Sequence, residues 1–156
     1  MSTSKTSYTS AEQEKLVMNI IYSSNLFNLV SNRIFKPFDL TMQQYNVLRI
    51  LREAQGFPLS ITDIESKMLD RSSNVSRLID KLVSKDFVTR VESRKDRRKM
   101  KIKIKEDGAS VLKEIDEIIF EMNSDLQDII THVEARDANK TINKIRRLHF
   151  DKYLKS

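Results

Sequence analysis

The feature that most constrains this chain is a change of hydrophobic period near its middle. From Val75 to Val83 the apolar residues fall at Val75, Leu78, Ile79, Leu82 and Val83, the i, i+3, i+4, i+7, i+8 spacing of a helix with one buried stripe. Its other face carries Asn74, Ser76, Arg77, Asp80, Lys81 and Lys85. After Asp86 the period becomes two. Met100, Ile102 and Ile104 alternate with Lys101, Lys103 and Lys105, so a strand there is apolar on one side and a row of ammonium groups on the other. Val88 to Val91 supplies a partner strand, and Ser93 to Lys99 (SRKDRRK) forms the tip.

Charge sharpens the pattern. Between Arg90 and Lys105 stand nine Lys/Arg against Glu92 and Asp96, a local net of +7 in a chain whose whole net charge is +6. The positive field is therefore local, and a polyanion is its natural partner.

Around this stretch the chain is predominantly helical. A periodic segment from about Ala11 to Phe35 places Leu16, Val17, Ile20, Ile21, Phe27, Val30 and Ile34 too widely around the cylinder for one buried face. Such a helix must be covered on more than one side, in a core or against another subunit. Pro37 closes it. Thr41 to Gln44 forms a capping box opening a helix to about Ala54, stopped by Gly56 and Pro58. A second box, Thr62 to Glu65, opens a short helix to about Leu69. A polar break, Asp70 to Ser72, leads to the central helix with Ser72 or Ser73 as N-cap. Two short helices across a tight break, the second polar outward, make a helix-turn-helix. Gly108 ends the hairpin. Long apolar helices are expected at about 109–133 and 138–154.

The expected fold class is mainly α with a small β-hairpin: a winged helix-turn-helix lobe over residues 40–106, plus long N- and C-terminal helices (11–36 and 109–154). Those outer helices share an excess of apolar surface, best satisfied by packing together and again with a second copy, a homodimer. Residues 1–10 (MSTSKTSYTS) read as a disordered polar tail, not a signal peptide. With no apolar run near 18 residues, the expectation is a cytoplasmic protein without membrane attachment.

Other chemistries find no foothold. The chain has no cysteine, which excludes thiol catalysis, disulfides and thiolate metal sites. His132 and His149 lack partners at ligand spacing, so no metal or cofactor is expected. No nucleophile triad or phosphate loop is visible, so an enzyme is not expected.

The segments LTMQQYNVLRIL (40–51), ITDIESKML (61–69), SSNVSRLIDKLVSKDFVTR (72–90) and ESRKDRRKMKIKIKEDG (92–108) resemble the MarR (multiple antibiotic resistance regulator) family of winged-helix transcription factors. Asp96, Arg98 and Gly108 match the family's wing pattern. Ile104-Lys105 stands where the family has Leu-Thr, and Asp86 where it has glycine, which implies an ordinary rather than left-handed helix end.

The resemblance implies a single domain over residues 1–156 that binds double-stranded DNA as a homodimer on a pseudo-palindromic operator. Asn74, Ser76 and Arg77 would meet base edges or nearby phosphates, and Ser73 and Lys81 the backbone. Arg98 would enter a minor groove, posed by Asp96, with Arg94 and Arg97 beside it in the basic tip. It also implies a repressor responsive to a small aromatic or phenolic effector, with Tyr22, Met42 and Tyr45 as candidate pocket residues. The competing readings are a winged-helix protein-interaction module, whose basic tip would serve an acidic partner, and a non-specific DNA binder.

Overall fold

The computed structural model describes residues 11–70, 72–92 and 100–147. The expected tail at residues 1–10, the wing tip at 93–99 and the segment from 148 onward lie outside them. The backbone forms two compact units, residues 1–115 and 116–156.

In the first unit, α1 (Ala11–Phe35) ends in a 3-10 turn, Lys36–Phe38, where Pro37 cannot continue the ladder. Then come α2 (Met42–Glu53), α3 (Ile61–Glu65), α4 (Val75–Ser84), β1 (Val88–Glu92), β2 (Met100–Ile104) and the start of α5 (Glu106–Ser124). The two strands pair antiparallel, Val88 opposite Ile104, Arg90 opposite Ile102 and Glu92 opposite Met100. An isolated bridge extends the pairing: Leu59 exchanges both backbone hydrogen bonds with Ile102, at 3.0 and 2.7 Å. The apolar stripes meet at Leu48, Leu51, Ile64, Val75, Ile79, Leu82, Val88, Ile102, Leu112 and Ile115, all buried. The helix-turn-helix and the hairpin thus share one core.

Local chemistry explains the boundaries, several of which depart from expectation. The Thr41–Gln44 box forms on both sides, Gln44 N–H donating to Thr41 Oγ1 at 3.2 Å and Thr41 N–H to Gln44 Oε1 at 2.9 Å. The second box is Ser60–Asp63, not Thr62–Glu65, and α3 ends at Glu65 rather than near Leu69. Ser60 sits at the extended backbone just outside the helix, whereas Thr62 is already inside it.

Helix α4 ends in a left-handed cap despite lacking glycine: Asp86 has φ 61°, Asp86 N–H donates to Val83 O and Phe87 N–H to Leu82 O. That is a Schellman closure, and its two hydrogen bonds outweigh the modest αL cost of an aspartate. Gly108 does not end the hairpin but lies inside α5, which starts at Glu106. A Cβ there would stand 2.3 Å from the Phe87 carbonyl oxygen.

The second unit holds the end of α5, α6 (Leu126–Ile129) and α7 (His132–Ile145). The continuous helix expected to about Val133 instead ends at Ser124, and after α6 the capping box of Thr131 and Glu134 begins a new helix. That helix starts six residues before the expected Ala138. None of the described residues of α6 or α7 is buried. Among the described residues no helix is long and apolar enough to cross a membrane.

Candidate nucleic-acid interface

Helix α4 presents its functional face because its other face is fixed. Val75, Ile79 and Leu82 are buried, so Ser76, Arg77, Asp80, Lys81 and Ser84 project from the far side and are exposed. Its N-cap is Asn74, not Ser72 or Ser73. Asn74 Oδ1 accepts from the Arg77 N–H at 3.0 Å. The serines are held elsewhere: Ser72 donates from its backbone and hydroxyl to Asp70 Oδ1, at 2.9 and 2.6 Å, and Ser73 Oγ to Asp70 Oδ2 at 3.1 Å. These hydrogen bonds, Ser72's first, hold the Asp70 carboxyl below the usual carboxylate range. Asp70 is thus the clasp of the turn before α4.

The hairpin is tied to this helix by charge. Arg90 on β1 pairs with Asp80 on α4, and Lys105 with Asp86 at the end of α4. Lys85 pairs with Asp39, a bond that leads the causes lowering the Asp39 pKa, with Lys81 adding its field. Two of the nine cations counted in the strand sequence are therefore engaged by carboxylates the strand count leaves out. Lys105 in particular is committed to Asp86, while Lys103 stays exposed on the outer strand face. The Asp80–Arg90 spacing of ten residues was the available sequence signal: a carboxylate on the polar helix face opposite a strand that turns back beside it.

Of the residues expected to touch DNA, Ser73, Asn74, Ser76, Arg77 and Lys81 lie together at the start and outer face of α4. Arg94, Asp96, Arg97 and Arg98 lie outside the described residues.

The three residues expected to line a pocket stand in different surroundings. Tyr22 is exposed on α1, and Tyr45 is buried against Phe35 with ring centroids 4.9 Å apart. Met42 borders a cavity of about 430 Å³ where α1, α2 and the end of α3 meet. Its walls include Asn28 and Asn32 of α1, Gln43 and Asn46 of α2, and Met68 and Asp70 beyond α3. No group of described residues could hold a metal ion.

A helix-turn-helix whose second helix is outwardly polar, followed by a basic antiparallel hairpin on the same core, has the layout of a winged-helix lobe. The family model described as "MarR family" matches residues 40–100. Over 94 residues it is 34% identical to YpoP of Bacillus subtilis, named an uncharacterized HTH-type transcriptional regulator; the match covers 59% of this chain and 65%, less than two thirds, of YpoP.

Two solved structures share the fold. A MarR point mutant from E. coli complexed with operator DNA aligns with TM-score 0.68 and 22% identity, covering 83% of this chain and 92% of that one. The organohalide-sensing regulator RdhR, in its 2,4-dichlorophenol-bound form, aligns with TM-score 0.75 and 16% identity, covering 96% and 90%. YpoP and RdhR are both named as transcriptional regulators.

Proposed function

We propose that the chain is a sequence-specific transcriptional regulator that binds a pseudo-palindromic operator as a homodimer and acts as a repressor released by a small molecule. The observation that carries this is the fixed outward face of α4, with Ser76, Arg77 and Lys81 exposed opposite a buried stripe. Major-groove edges are read by donors on such a face, and arginine pairs two acceptors of guanine. Asn74 and Ser73, at the helix start, meet backbone and adjacent base edges. Arg94, Arg97 and Arg98 extend the contact to the flanking minor groove, with Asp96 ordering Arg98. The E. coli MarR–operator complex supports this use of the shared fold. A protein working on chromosomal operators works in the cytoplasm.

The apolar residues left exposed on α1 support the dimer. Met18, Ile21, Tyr22 and Leu29 are exposed at helical spacing, and Phe35 is the one buried residue of that helix. The dichlorophenol-bound form of RdhR supports an effector in principle.

The test is selection of bound duplexes from random sequence, followed by titration in salt. Specific binding predicts enrichment of an inverted repeat with half-sites about one helical turn apart, and log affinity falling linearly with log salt. No enrichment over random duplex would leave a protein-interaction module as the better reading.

A further inference from the structure

The cavity between α1, α2 and the end of α3 has a chemistry unlike that of a phenol site. Its volume, about 430 Å³, lies within the range of small-molecule pockets, roughly 300–1,000 Å³. Four side-chain amides border it: Asn28, Asn32, Gln43 and Asn46. Asn46 is buried, 7% exposed, and its amide nitrogen donates to the Met68 sulfur at 3.7 Å, a weak acceptor that an oxygen or a π-face would readily replace. Among the described residues lining the cavity, Asp70 alone carries a charge, and it is negative. Among the described residues, an anion there would meet a carboxylate and no countercharge. A cation would meet an acceptor-rich rim over a thioether floor.

We propose that this cavity is an effector site for a small organic ammonium, and that the ligand acts by drawing Asp70 away from the turn that starts the recognition helix. The inference rests on the reading of the chain as a ligand-responsive regulator and replaces its expected phenolic effector. The link is covalently short. The carboxylate that borders the cavity accepts the hydrogen bonds of Ser72 and Ser73, immediately before the Asn74 cap of α4. An ammonium competing for Asp70 loosens those serines and resets the first turn of the helix that faces DNA. No relay through the core is required.

Phenethylammonium, 2-phenylethanol and phenylacetate share a ring and a chain and differ in charge, so they separate the alternatives. Titrated into the full-length protein and followed by the side-chain amide resonances of Asn28, Asn32, Gln43 and Asn46, the ammonium should bind about tenfold tighter than the carboxylate, the factor a partly screened charge supplies. The alcohol should fall between them. Asp70→Asn should erase the ordering. Since that change also disturbs the turn, Asn32→Lys, on an exposed position of α1, provides the second variant: it should abolish ammonium binding with an unchanged unfolding midpoint.

Phenylacetate binding as tightly as phenethylammonium would overturn the ligand class, and silence of all four amides would overturn the site. A selected duplex should lose affinity as phenethylammonium saturates the protein; unchanged affinity would overturn the coupling through Asp70. Absence of any selected duplex, by contrast, would remove the regulator reading itself while the probe titration still reported on the cavity.

Discussion

At the scale of single residues, Asn74 serves two ends at once. Its side-chain oxygen caps α4, and the residue stands exposed at the helix start. Asn74→Ala should cost about 1 kcal/mol of stability, within the spread for lost N-caps, together with operator affinity. Asn74→Ser keeps a capping oxygen, so its stability should stay within about 0.5 kcal/mol while affinity still falls; urea denaturation beside duplex titration separates the two. Arg77 has the simpler role. Its side chain is exposed, so Arg77→Ala should leave the unfolding midpoint alone, lower affinity for the selected operator and flatten discrimination by about 1–3 kcal/mol at one base pair. A uniform loss across all duplexes would reassign Arg77 to the phosphates. The N-cap was not legible beforehand because three hydrogen-bonding residues in a row, Ser72, Ser73 and Asn74, all suit the position. What decides among them is Asp70, which captures both serines.

At the scale of elements, periodicity located α1, α2, α4 and both strands, since each carries apolar residues at a spacing visible in the chain. It misplaced ends and breaks. Apolar residues run on from Ile115 through Ile130, so the pattern alone extends one helix, whereas Thr131 and Glu134 impose a new start. The left-handed end of α4 was hidden for a similar reason: the backbone closure there depends on Leu82 and Val83 carbonyls, not on the identity of residue 86. The Leu59 rung against Ile102 had no signal, because a single bridge has no period.

Two predictions belong to this scale. Gly108→Ala forces a methyl against the Phe87 carbonyl, so it should destabilise the protein by about 1–3 kcal/mol, the usual cost of overpacking. An unchanged denaturation midpoint would mean that α5 can shift from the strand at no cost.

The second concerns acid. Asp39, Asp63, Asp70 and Glu134 are all held below their ordinary pKa, chiefly by Lys85, Ser60, Ser72 and Thr131 respectively. A carboxyl depressed in the folded state adds stability above its unfolded pKa and loses it as pH falls through the folded value. The melting temperature should therefore be insensitive to these groups above about pH 5 and decline below about pH 4. Replacing Asp63 and Glu134 with the corresponding amides should shallow that decline; an unaltered slope would show that the caps do not carry it.

At the scale of the whole molecule, the open question is what covers α1. Two sets of apolar residues share that helix: Ile20, Phe27 and Ile34 along one line, and Met18, Ile21, Tyr22 and Leu29 along another. A solvated helix needs at most one such stripe, so the second requires a partner surface, and the proposed second copy would supply it with the symmetry of an inverted-repeat operator. Ile21 and Leu29, 49% and 52% exposed, can be changed without opening the chain's own core. The double variant Ile21→Glu with Leu29→Glu should sediment as a folded monomer at micromolar concentration. Each monomer would keep its α4 face and bind an isolated half-site with unchanged affinity. On the complete operator it would lose the effective concentration that linkage provides, a drop of about 10²–10⁴. A dimer that survived both substitutions would place the interface elsewhere. A monomer that still bound the full operator at wild-type strength would mean that one recognition helix suffices, and the symmetry argument would fail with it.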